Sequence, residues 1–282
     1  TEVKDGVLNV YLGIDSGSTT SKFVLIDENE QVIDRFYANN HGDPLKVVKQ
    51  GIVQIYDKYK SKGITLKCLG LGTTGYGEHL LARALRADYH TVETVAHTIG
   101  CQKYYPDTTF ILDIGGQDMK AIWLNDGVIT NIMLNEACSS GCGSFLENFA
   151  VNLGIDVSDI ADKAFASKNP AHLGSRCTVF MNSTIINEQR DGKQPQDIMA
   201  GLCRSIIENV FTKVVRIANT SELGNRVVVQ GGTFYNDAVL RSFEKLIGRN
   251  VTRPDISGIM GAFGAAIICK ERYSEGHKTE FL

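Results

Sequence analysis

The stretch Thr109-Phe-Ile-Leu-Asp113-Ile-Gly115-Gly116-Gln117-Asp118-Met-Lys120 repeats a pattern found once earlier in the chain. It is an apolar run that ends in Asp-x-Gly and leads through a short turn into a second apolar run. The earlier copy is Val10-Tyr-Leu-Gly-Ile-Asp15-Ser-Gly17-Ser18-Thr19-Thr20-Ser-Lys22. Each copy predicts a strand, a polar turn and a second strand.

Several identities between the two copies fall in one register, at an offset of about 98 residues. A single shared Asp-x-Gly means little, but a series of matches in register indicates an internal duplication. The chain is therefore predicted to be an α/β protein made of two related halves. The matched positions are Asp15 with Asp113, Gly17 with Gly115 and Lys22 with Lys120 at an offset of 98, and Val32-Ile33 with Val128-Ile129 at an offset of 96.

Strands and helices alternate through the rest of the chain, and no low-complexity linker divides it. Gly70-x-Gly72-x-x-Gly75 matches the dinucleotide fingerprint, but the antiparallel strands predicted before it are wrong for a Rossmann unit. We place the first domain at residues 1–92, with the C-terminal helix of residues 260–282 packing back on it. The second domain spans residues 93–259.

Composition limits the possible functions. A chain of 282 residues with 43% hydrophobic content can bury a large core, and its net charge of -3 offers no basic stripe for nucleic acid or an anionic membrane. The longest uncharged apolar stretch, residues 256–269, is too short to span a bilayer. Seven cysteines, an odd number, favour a reducing cytoplasm over a disulfide framework. The start, Thr-Glu-Val-Lys-Asp, has no signal core and no initiator Met, which suggests a module of a longer chain.

The first polar turn has the residue types of a phosphate site. Gly17 lets the backbone approach a phosphate closely, and the hydroxyls of Ser18, Thr19 and Thr20 can bond its oxygens. Asp15 is placed to hold a hydrated Mg²⁺. The loop leads into a strand and lacks GxxxxGK[ST], so it is not a P-loop. A plain polar hairpin turn is the alternative.

The second turn strengthens the phosphate interpretation, because two facing copies would clamp the phosphates of one nucleotide. Asp113, Gly115 and Gly116 are its counterparts of the first site, and Gln117 or Asp118 would orient the attacking water. A third turn, Gly231-Gly232-Thr233, joins a strand to a helix and could pass beneath an adenosine. A simple turn is an equal alternative there.

The cysteines fall into different classes. Cys138 precedes an apolar helical pattern, and the unpaired N–H groups at the start of a helix favour a thiolate. This position makes Cys138 a candidate metal ligand or reactive group. Pairing with Cys142 as a CxxxC unit and a tight loop of small residues both remain open. Sequence context predicts that a further group of three cysteines are small buried hydrophobes. These are Cys68, Cys203 and Cys269.

Glu93, His97 and Cys101 share one face of a helix at spacings of four residues. Three ligands spread over two turns point along a line and do not converge on one ion. A packed or hydrogen-bonded helix face is therefore the favoured interpretation.

The motifs resemble those of known ATPases. The two phosphate turns, Gly13-Ile-Asp15-Ser-Gly17 with Asp113-Ile-Gly115-Gly116-Gln117, are similar to those of the actin, Hsp70 and sugar-kinase superfamily. Two segments, Asn135-Glu-Ala-Cys138-x-x-Gly-x-Gly143-x-Phe-Leu-Glu147 and Cys177-Thr-Val-Phe180, resemble the BadF/BadG/BcrA/BcrD family. That family comprises activators of 2-hydroxyacyl-CoA dehydratases and ATPase subunits of benzoyl-CoA reductases. The resemblance extends from about Val10 to Lys270.

The resemblance implies a duplicated RNase H-like fold with ATP or ADP and Mg²⁺ bound between two domains. It implies a homodimer in which Cys138 and Cys177 of both subunits bind one 4Fe-4S cluster, which leaves Cys142 as a structural or incidental thiol. The implied activity is ATP hydrolysis coupled to transfer of a low-potential electron, from a ferredoxin or flavodoxin-like donor to a dehydratase or reductase. The catalytic residues implied are Asp15, Asp113, Gln117 and Asp118, and those at the nucleotide are Gly17, Ser18, Thr19, Thr20, Lys22, Gly115, Gly116, Gly231, Gly232 and Thr233.

The chain departs from the family pattern in three places. Cys142 stands where Thr or a similar residue is usual, the stretch after Phe180 is less acidic, and Thr233-Phe-Tyr-Asn236 replaces a Val-Ala form. These features are closer to activator-like modules within large multi-domain proteins. Two alternatives are a small-molecule kinase of the same superfamily, which leaves Cys138 and Cys177 unexplained, and a nucleotide-switched binding ATPase.

Overall fold

The structure is a computed structural model that describes residues 3–76, 78–135, 142–175 and 178–275. The chain folds into two compact units. Unit 1 consists of Thr1–Pro106 and Ile259–Leu282, and unit 2 consists of Asp107–Gly258. None of the helices in the described parts of the chain is long and apolar enough to cross a membrane.

Unit 1 is built on a five-stranded sheet in the order β3-β2-β1-β4-β5. The hairpin strands β1, β2 and β3 are antiparallel neighbours, whereas β4 runs parallel to β1. The elements are β1 Val7–Ser16, β2 Thr20–Ile26, β3 Val32–Asn39, α1 Pro44–Lys60, β4 Thr65–Thr74, α2 Glu78–Leu85, β5 Tyr89–His90 and α3 Glu93–Tyr104.

Local chemistry explains where α1 begins and how it packs. The Asp43 side chain accepts a hydrogen bond from the Lys46 amide, and a proline occupies the first helical position. Val48 and Ile55 on one face of α1 are buried against the sheet in an apolar core that includes Phe23. Burying such side chains stabilises the unit by about 1.5–3 kcal/mol each.

Unit 2 has a four-stranded sheet in the order β8-β7-β6-β9. The strand β6 is antiparallel to β7 and parallel to β9. The elements are β6 Phe110–Ile114, β7 Met119–Asn125, β8 Val128–Asn135, α4 Gly143–Asn152, α5 Ile160–Ala166, α6 Thr178–Arg190, α7 Pro195–Asn209, β9 Val227–Gln230 and α8 Asp237–Ile247. Short helical turns at Val157–Asp159 and Gly232–Tyr235 precede α5 and α8.

The two sheets confirm the internal duplication. Strand order 3-2-1-4 in unit 1 corresponds to 8-7-6-9 in unit 2. Even an irregularity is repeated: the β2–β3 register shifts between Leu25 and Ile26, and the β7–β8 register shifts between Trp123 and Leu124. These positions lie at the same offset that aligns Asp15 with Asp113. The α/β class predicted from the sequence is therefore confirmed.

The last helix, α9 (Met260–Ser274), returns to unit 1 and is buried there up to Cys269. Small residues let it approach other backbones: a Cβ at Gly13 would lie 2.0 Å from the Ala262 carbonyl oxygen, and one at Gly264 would lie 1.7 Å from that of Ala96. This packing against α3 places Glu93–Tyr104 in unit 1, although the predicted boundary had assigned residues from 93 onward to the second domain.

The described cysteines agree only in part with their predicted burial. Cys203 and Cys269 are buried, and burial raises the pKa of each thiol to about 12. Cys68 is exposed, so its predicted burial is wrong. The strand pattern misled here because β4 buries only its second half, from Gly70 to Thr74.

Candidate functional site

The turn between β1 and β2 is held from the side by Asn40. The Gly17 amide donates to the Thr20 carbonyl at 2.9 Å, closing the turn. The Asn40 side chain donates to the Gly17 carbonyl at 2.8 Å and its amide donates to the Thr19 carbonyl at 2.7 Å. Ser18 at the tip is exposed. The turn thus gathers Gly17, Ser18, Thr19 and Thr20 on a fixed backbone beside Asp15.

Asp15 is buried at the end of β1 and is surrounded by groups that suit a cation site. Lys22, its cross-strand neighbour, places Nζ 3.5 Å from Asp15 Oδ2. His97 Nε2 lies 3.6 Å from the same oxygen and 3.5 Å from Glu93 Oε1. Ligand atoms of Asp15, Glu93 and His97 all lie within 4.8 Å of one another. Two carboxylates and an imidazole at this spacing can bind a divalent ion.

Glycines keep the Asp15 carboxylate clear. A Cβ at Gly75 would lie 2.6 Å from Asp15 Oδ1, and one at Gly261 would lie 2.6 Å from both Asp15 Oδ2 and His97 Nε2. The predicted packed helix face holds for Cys101, which is buried and does not belong to the group of Asp15, Glu93 and His97. The prediction missed the convergence of Glu93 and His97 on Asp15, because sequence spacing within α3 carries no information about β1.

The turn between β6 and β7 repeats the geometry of the first. The Gly115 amide donates to the Asp118 carbonyl at 2.9 Å. Asp113 is buried at the end of β6, and Gln117 is exposed at the turn. Lys120, the counterpart of Lys22 in this turn, forms a short ion pair with Asp118. Asp118 is thereby engaged by a cation.

The carbonyls of the second turn also bind two other segments of unit 2. The Thr233 hydroxyl and the Gly143 amide each donate to the Gly115 carbonyl at 3.0 Å. Ser144 donates to the Gly116 carbonyl through its amide, at 3.0 Å, and through its hydroxyl. The start of α4 and the third predicted turn therefore lie directly against the second phosphate turn.

Glycine is required at Gly231, at the start of the third turn. Its φ is +92°, and a Cβ there would lie 2.3 Å from the Ile114 carbonyl oxygen. The Gly231 amide donates to the Ser257 carbonyl at 2.7 Å. The close backbone approach brings Gly231, Gly232 and Thr233 to the end of β6.

A cavity of about 270 Å³ opens beside these turns. Partial burial raises the pKa of Glu147, whose exposed side chain contributes to the cavity wall. The cavity has the size and the mixed polar and apolar lining of a small-molecule site. Its lining residues are Gly143, Leu146, Glu147, Val157, Ser158, Ile160, Ala161, Gly232, Thr233, Tyr235 and Asn236.

The predicted cluster ligands Cys138 and Cys177 lie outside the described residues. Cys142, which immediately precedes α4, is buried in the apolar core of unit 2. That position suits the structural thiol that the resemblance implied. Sequence reasoning assigned no role to Ser144 or Glu147.

The similarity to known proteins covers most of the chain. The model of the BadF/BadG/BcrA/BcrD ATPase family matches residues 12–269. The chain is 30% identical over 264 residues to the (R)-2-hydroxyglutaryl-CoA dehydratase activating ATPase of Acidaminococcus fermentans, covering 92% of this chain and 97% of that protein.

Solved structures give the same result at the level of the fold. The activator of the 2-hydroxyisocaproyl-CoA dehydratase from Clostridium difficile with bound ADPNP superposes with a TM-score of 0.83 at 28% identity, covering 97% of this chain and 99% of the other. A ROK family glucokinase from Streptomyces griseus superposes with a TM-score of 0.51 at 14% identity, covering 93% and 99%. The latter likeness concerns the fold alone, and it confirms the predicted sugar-kinase type of architecture.

Proposed function

The chain belongs to the BadF/BadG/BcrA/BcrD ATPase family, and we propose that it is an activator that couples ATP hydrolysis to the delivery of one low-potential electron. The acceptor is a 2-hydroxyacyl-CoA dehydratase or a related reductase, in keeping with the activity named for its relatives. The donor is a ferredoxin or flavodoxin-like protein. A reducing, oxygen-free cytoplasm suits such an electron carrier.

One observation carries the proposal: the second phosphate turn is hydrogen-bonded to the helix that follows the cysteine loop. Gly115 and Gly116 accept hydrogen bonds from Gly143 and Ser144, the first residues of α4. Cys138 precedes α4 by only a few residues in the chain. A change in the phosphates bound at this turn alters the orientation of the two carbonyls, and α4 follows because its first amides are attached to them.

Residues of both turns divide the ATPase work. Gly17, Ser18, Thr19 and Thr20 bind phosphate oxygens in unit 1, and Gly115 and Gly116 do so in unit 2. Lys22 neutralises phosphate charge. Gln117 orients the water that attacks the γ-phosphorus, so that ADP leaves and the proton of the water ends on phosphate.

The buried carboxylates supply the site for Mg²⁺. Asp15 fits this role, because glycines clear its oxygens and because Glu93 and His97 add donors within 4.8 Å. Asp113 is the buried carboxylate at the same position of the second turn. The bound ion would neutralise phosphate charge that develops during hydrolysis.

Two subunits complete the electron carrier. Cys138 and Cys177 of one chain supply two thiolates, so a homodimer supplies the four that a 4Fe-4S cluster requires. When bound, such a cluster would supply one-electron transfer chemistry. The alternatives, a small-molecule kinase or a binding ATPase, assign no role to this pair.

The test is anaerobic purification followed by iron and sulfide analysis and a visible spectrum before and after air. About four irons per dimer are expected, bleached by oxygen and lost in Cys138→Ser and Cys177→Ser. Cys68→Ser is the matched control, because Cys68 is exposed and assigned no ligand role. An iron-free, colourless chain with full ATPase activity would overturn the proposal, and phosphoryl transfer to a metabolite would favour the kinase.

A further inference from the structure

The cavity beside the turn between β6 and β7 is lined by both apolar and polar residues. The apolar ones include Leu146, Ile160 and Ala161, and apolar lining suits a planar base. The polar ones include Glu147 on α4 and Thr233 next to the turn. A ligand that places phosphates at Gly115 and Gly116 would extend its next atoms into this cavity, because Gly143 and Thr233 belong to both sites.

Most polar side chains of the cavity already have a partner within the fold. Four of them, from two segments of the chain, form hydrogen bonds that leave little capacity for a ligand. The bonds join Thr233 Oγ1 to the Gly115 carbonyl (3.0 Å), Ser158 Oγ to Asp156 Oδ1 (2.6 Å), Asn236 Oδ1 to the Ala238 amide (2.8 Å), and the Tyr235 hydroxyl to the Gly258 amide (3.1 Å).

Glu147 is different from these four. Across the described ranges, no hydrogen bond or ion pair joins its carboxyl group to another residue, and partial burial raises its pKa. The side chain is exposed on the cavity wall, so its carboxylate oxygens are available to a ligand that enters the cavity. An ionised carboxylate only accepts hydrogen bonds, and the complementary ligand group is therefore a donor.

The position of Glu147 on α4 indicates which donor of a nucleotide it meets. Gly143 contacts the phosphate turn, and Glu147 follows one helical turn later, about 6 Å along the axis. In a nucleotide the ribose follows directly after the phosphates, whereas the amino group of adenine lies at the far end of the base. The two ribose hydroxyls are thus the donors within reach.

We propose that Glu147 accepts hydrogen bonds from the ribose hydroxyls of the bound nucleotide and makes the site selective for ribonucleotides over deoxyribonucleotides. This inference rests on the ATP binding of the proposed function and assigns a specificity-determining residue to it. A site built to bond a hydroxyl rejects the analogue that lacks it, because the carboxylate is then left without a partner.

The test measures dissociation constants by calorimetry on the full chain, with ADP, 2′-deoxy-ADP and 3′-deoxy-ADP. The original chain should bind ADP on the order of 10- to 100-fold more tightly than the weaker deoxy analogue, the range for a hydrogen bond to a charged group. Glu147→Ala should bind all three within a few fold of one another. Glu147→Gln, which keeps one neutral acceptor, should lie between them.

Asp162→Asn is the matched control, because Asp162 is an exposed carboxylate on α5 in the same unit and does not contribute to the cavity wall. It should keep the full preference for ADP. Thermal unfolding checks the fold: Glu147→Gln should be no less stable than the original chain, because it removes a carboxylate that burial already disfavours.

Two results would overturn the inference. Equal binding of ADP and both deoxy analogues by the original chain would show that no ribose hydroxyl is recognised. An equal loss of affinity for all three nucleotides in Glu147→Ala would assign Glu147 to the base or to packing. A chain that bound none of the three would overturn the proposed function as well, so the two failures are distinguishable.

Discussion

The two phosphate turns share one backbone and differ in what surrounds them. In both, the glycine amide donates to the carbonyl three residues on, Gly17 to Thr20 and Gly115 to Asp118, each at 2.9 Å. In unit 1 the cross-strand lysine reaches toward the buried carboxylate Asp15. In unit 2 the equivalent lysine is paired with Asp118. Duplication thus preserved the turn, while one aligned position differs: it is Thr20 in unit 1 and the lysine-paired Asp118 in unit 2.

The helices associated with the two sheets also differ between the units. In unit 1, α3 and α9 approach at backbone distance and bring His97 and Glu93 to Asp15. In unit 2 the segment between the third and fourth strands is expanded to α4, α5, α6 and α7, whereas unit 1 has only α1 there. One copy therefore has the donor set of a cation site, and the other joins its turn to the segment that carries the cysteines.

The largest expected effect separates the carboxylates of the two turns. Asp15→Asn and Asp113→Asn should each lower the rate of ATP hydrolysis on the order of 10²- to 10³-fold, because charge stabilisation in the transition state is lost. Asp15→Asn should also raise the Mg²⁺ concentration for half-maximal activity more than Asp113→Asn does, because only Asp15 has Glu93 and His97 beside it. Phosphate release measured across a Mg²⁺ titration checks both statements.

Asp126→Asn serves as the control for this pair, because Asp126 is exposed in the turn between β7 and β8. Its activity should stay within about two-fold of the original. Identical Mg²⁺ profiles for the Asp15 and Asp113 variants would remove the distinction between the two turns.

A second prediction concerns one aligned position of the two sheets, Gly13 in unit 1 and Ile111 in unit 2. Gly13→Ala forces a Cβ to within 2.0 Å of the Ala262 carbonyl oxygen and should cost about 1–3 kcal/mol or more through overpacking. Ile111→Ala leaves a cavity under a fully buried side chain and should cost about 2–5 kcal/mol.

Urea unfolding can assign each loss to its unit. Trp123, the single tryptophan of the chain, belongs to unit 2 and packs edge-on against Phe110. Its fluorescence transition should move in Ile111→Ala, whereas Gly13→Ala should move the far-ultraviolet circular dichroism transition more than the fluorescence. Equal shifts of both probes in both variants would show that the chain unfolds as one cooperative body.

The sequence alone predicted the turns well because a turn is local. Asp15-Ser-Gly17 and Asp113-Ile-Gly115 carry their own geometry, and the shared offset needed no knowledge of packing. The grouping of Asp15 with His97 could not be predicted, because it depends on how closely α9 lets α3 approach β1. Glu147 was missed for a similar reason, since a cavity arises from the packing of several segments. Cys68 was placed wrongly because half a strand can be buried while the other half is exposed.

The smallest predicted effect concerns Glu30, before β3 in unit 1. Its carboxylate accepts a hydrogen bond from Lys270 at 2.9 Å and forms a short ion pair with Lys103, tying the hairpin to α9 and α3. Burial alone would raise the pKa of Glu30, but the hydrogen bonds from Lys103 and Lys270 outweigh it and lower the pKa. Asp126, in the corresponding hairpin turn of unit 2, is exposed and has no ion pair among the described residues.

Because the folded chain holds the pKa of Glu30 below its unfolded value, its contribution to stability is complete above the unfolded pKa of about 4.3 and is lost as pH falls through the folded pKa. Glu30→Gln should therefore cost about 1 kcal/mol at pH 7, and the difference should shrink below about pH 4. Asp126→Asn should change stability little at either pH. Urea unfolding at both pH values measures these differences in the free energy of unfolding. Charge pairing must vanish once the carboxylate is protonated. A loss of stability in Glu30→Gln that did not vary with pH would therefore assign the contact to packing of the lysine side chains.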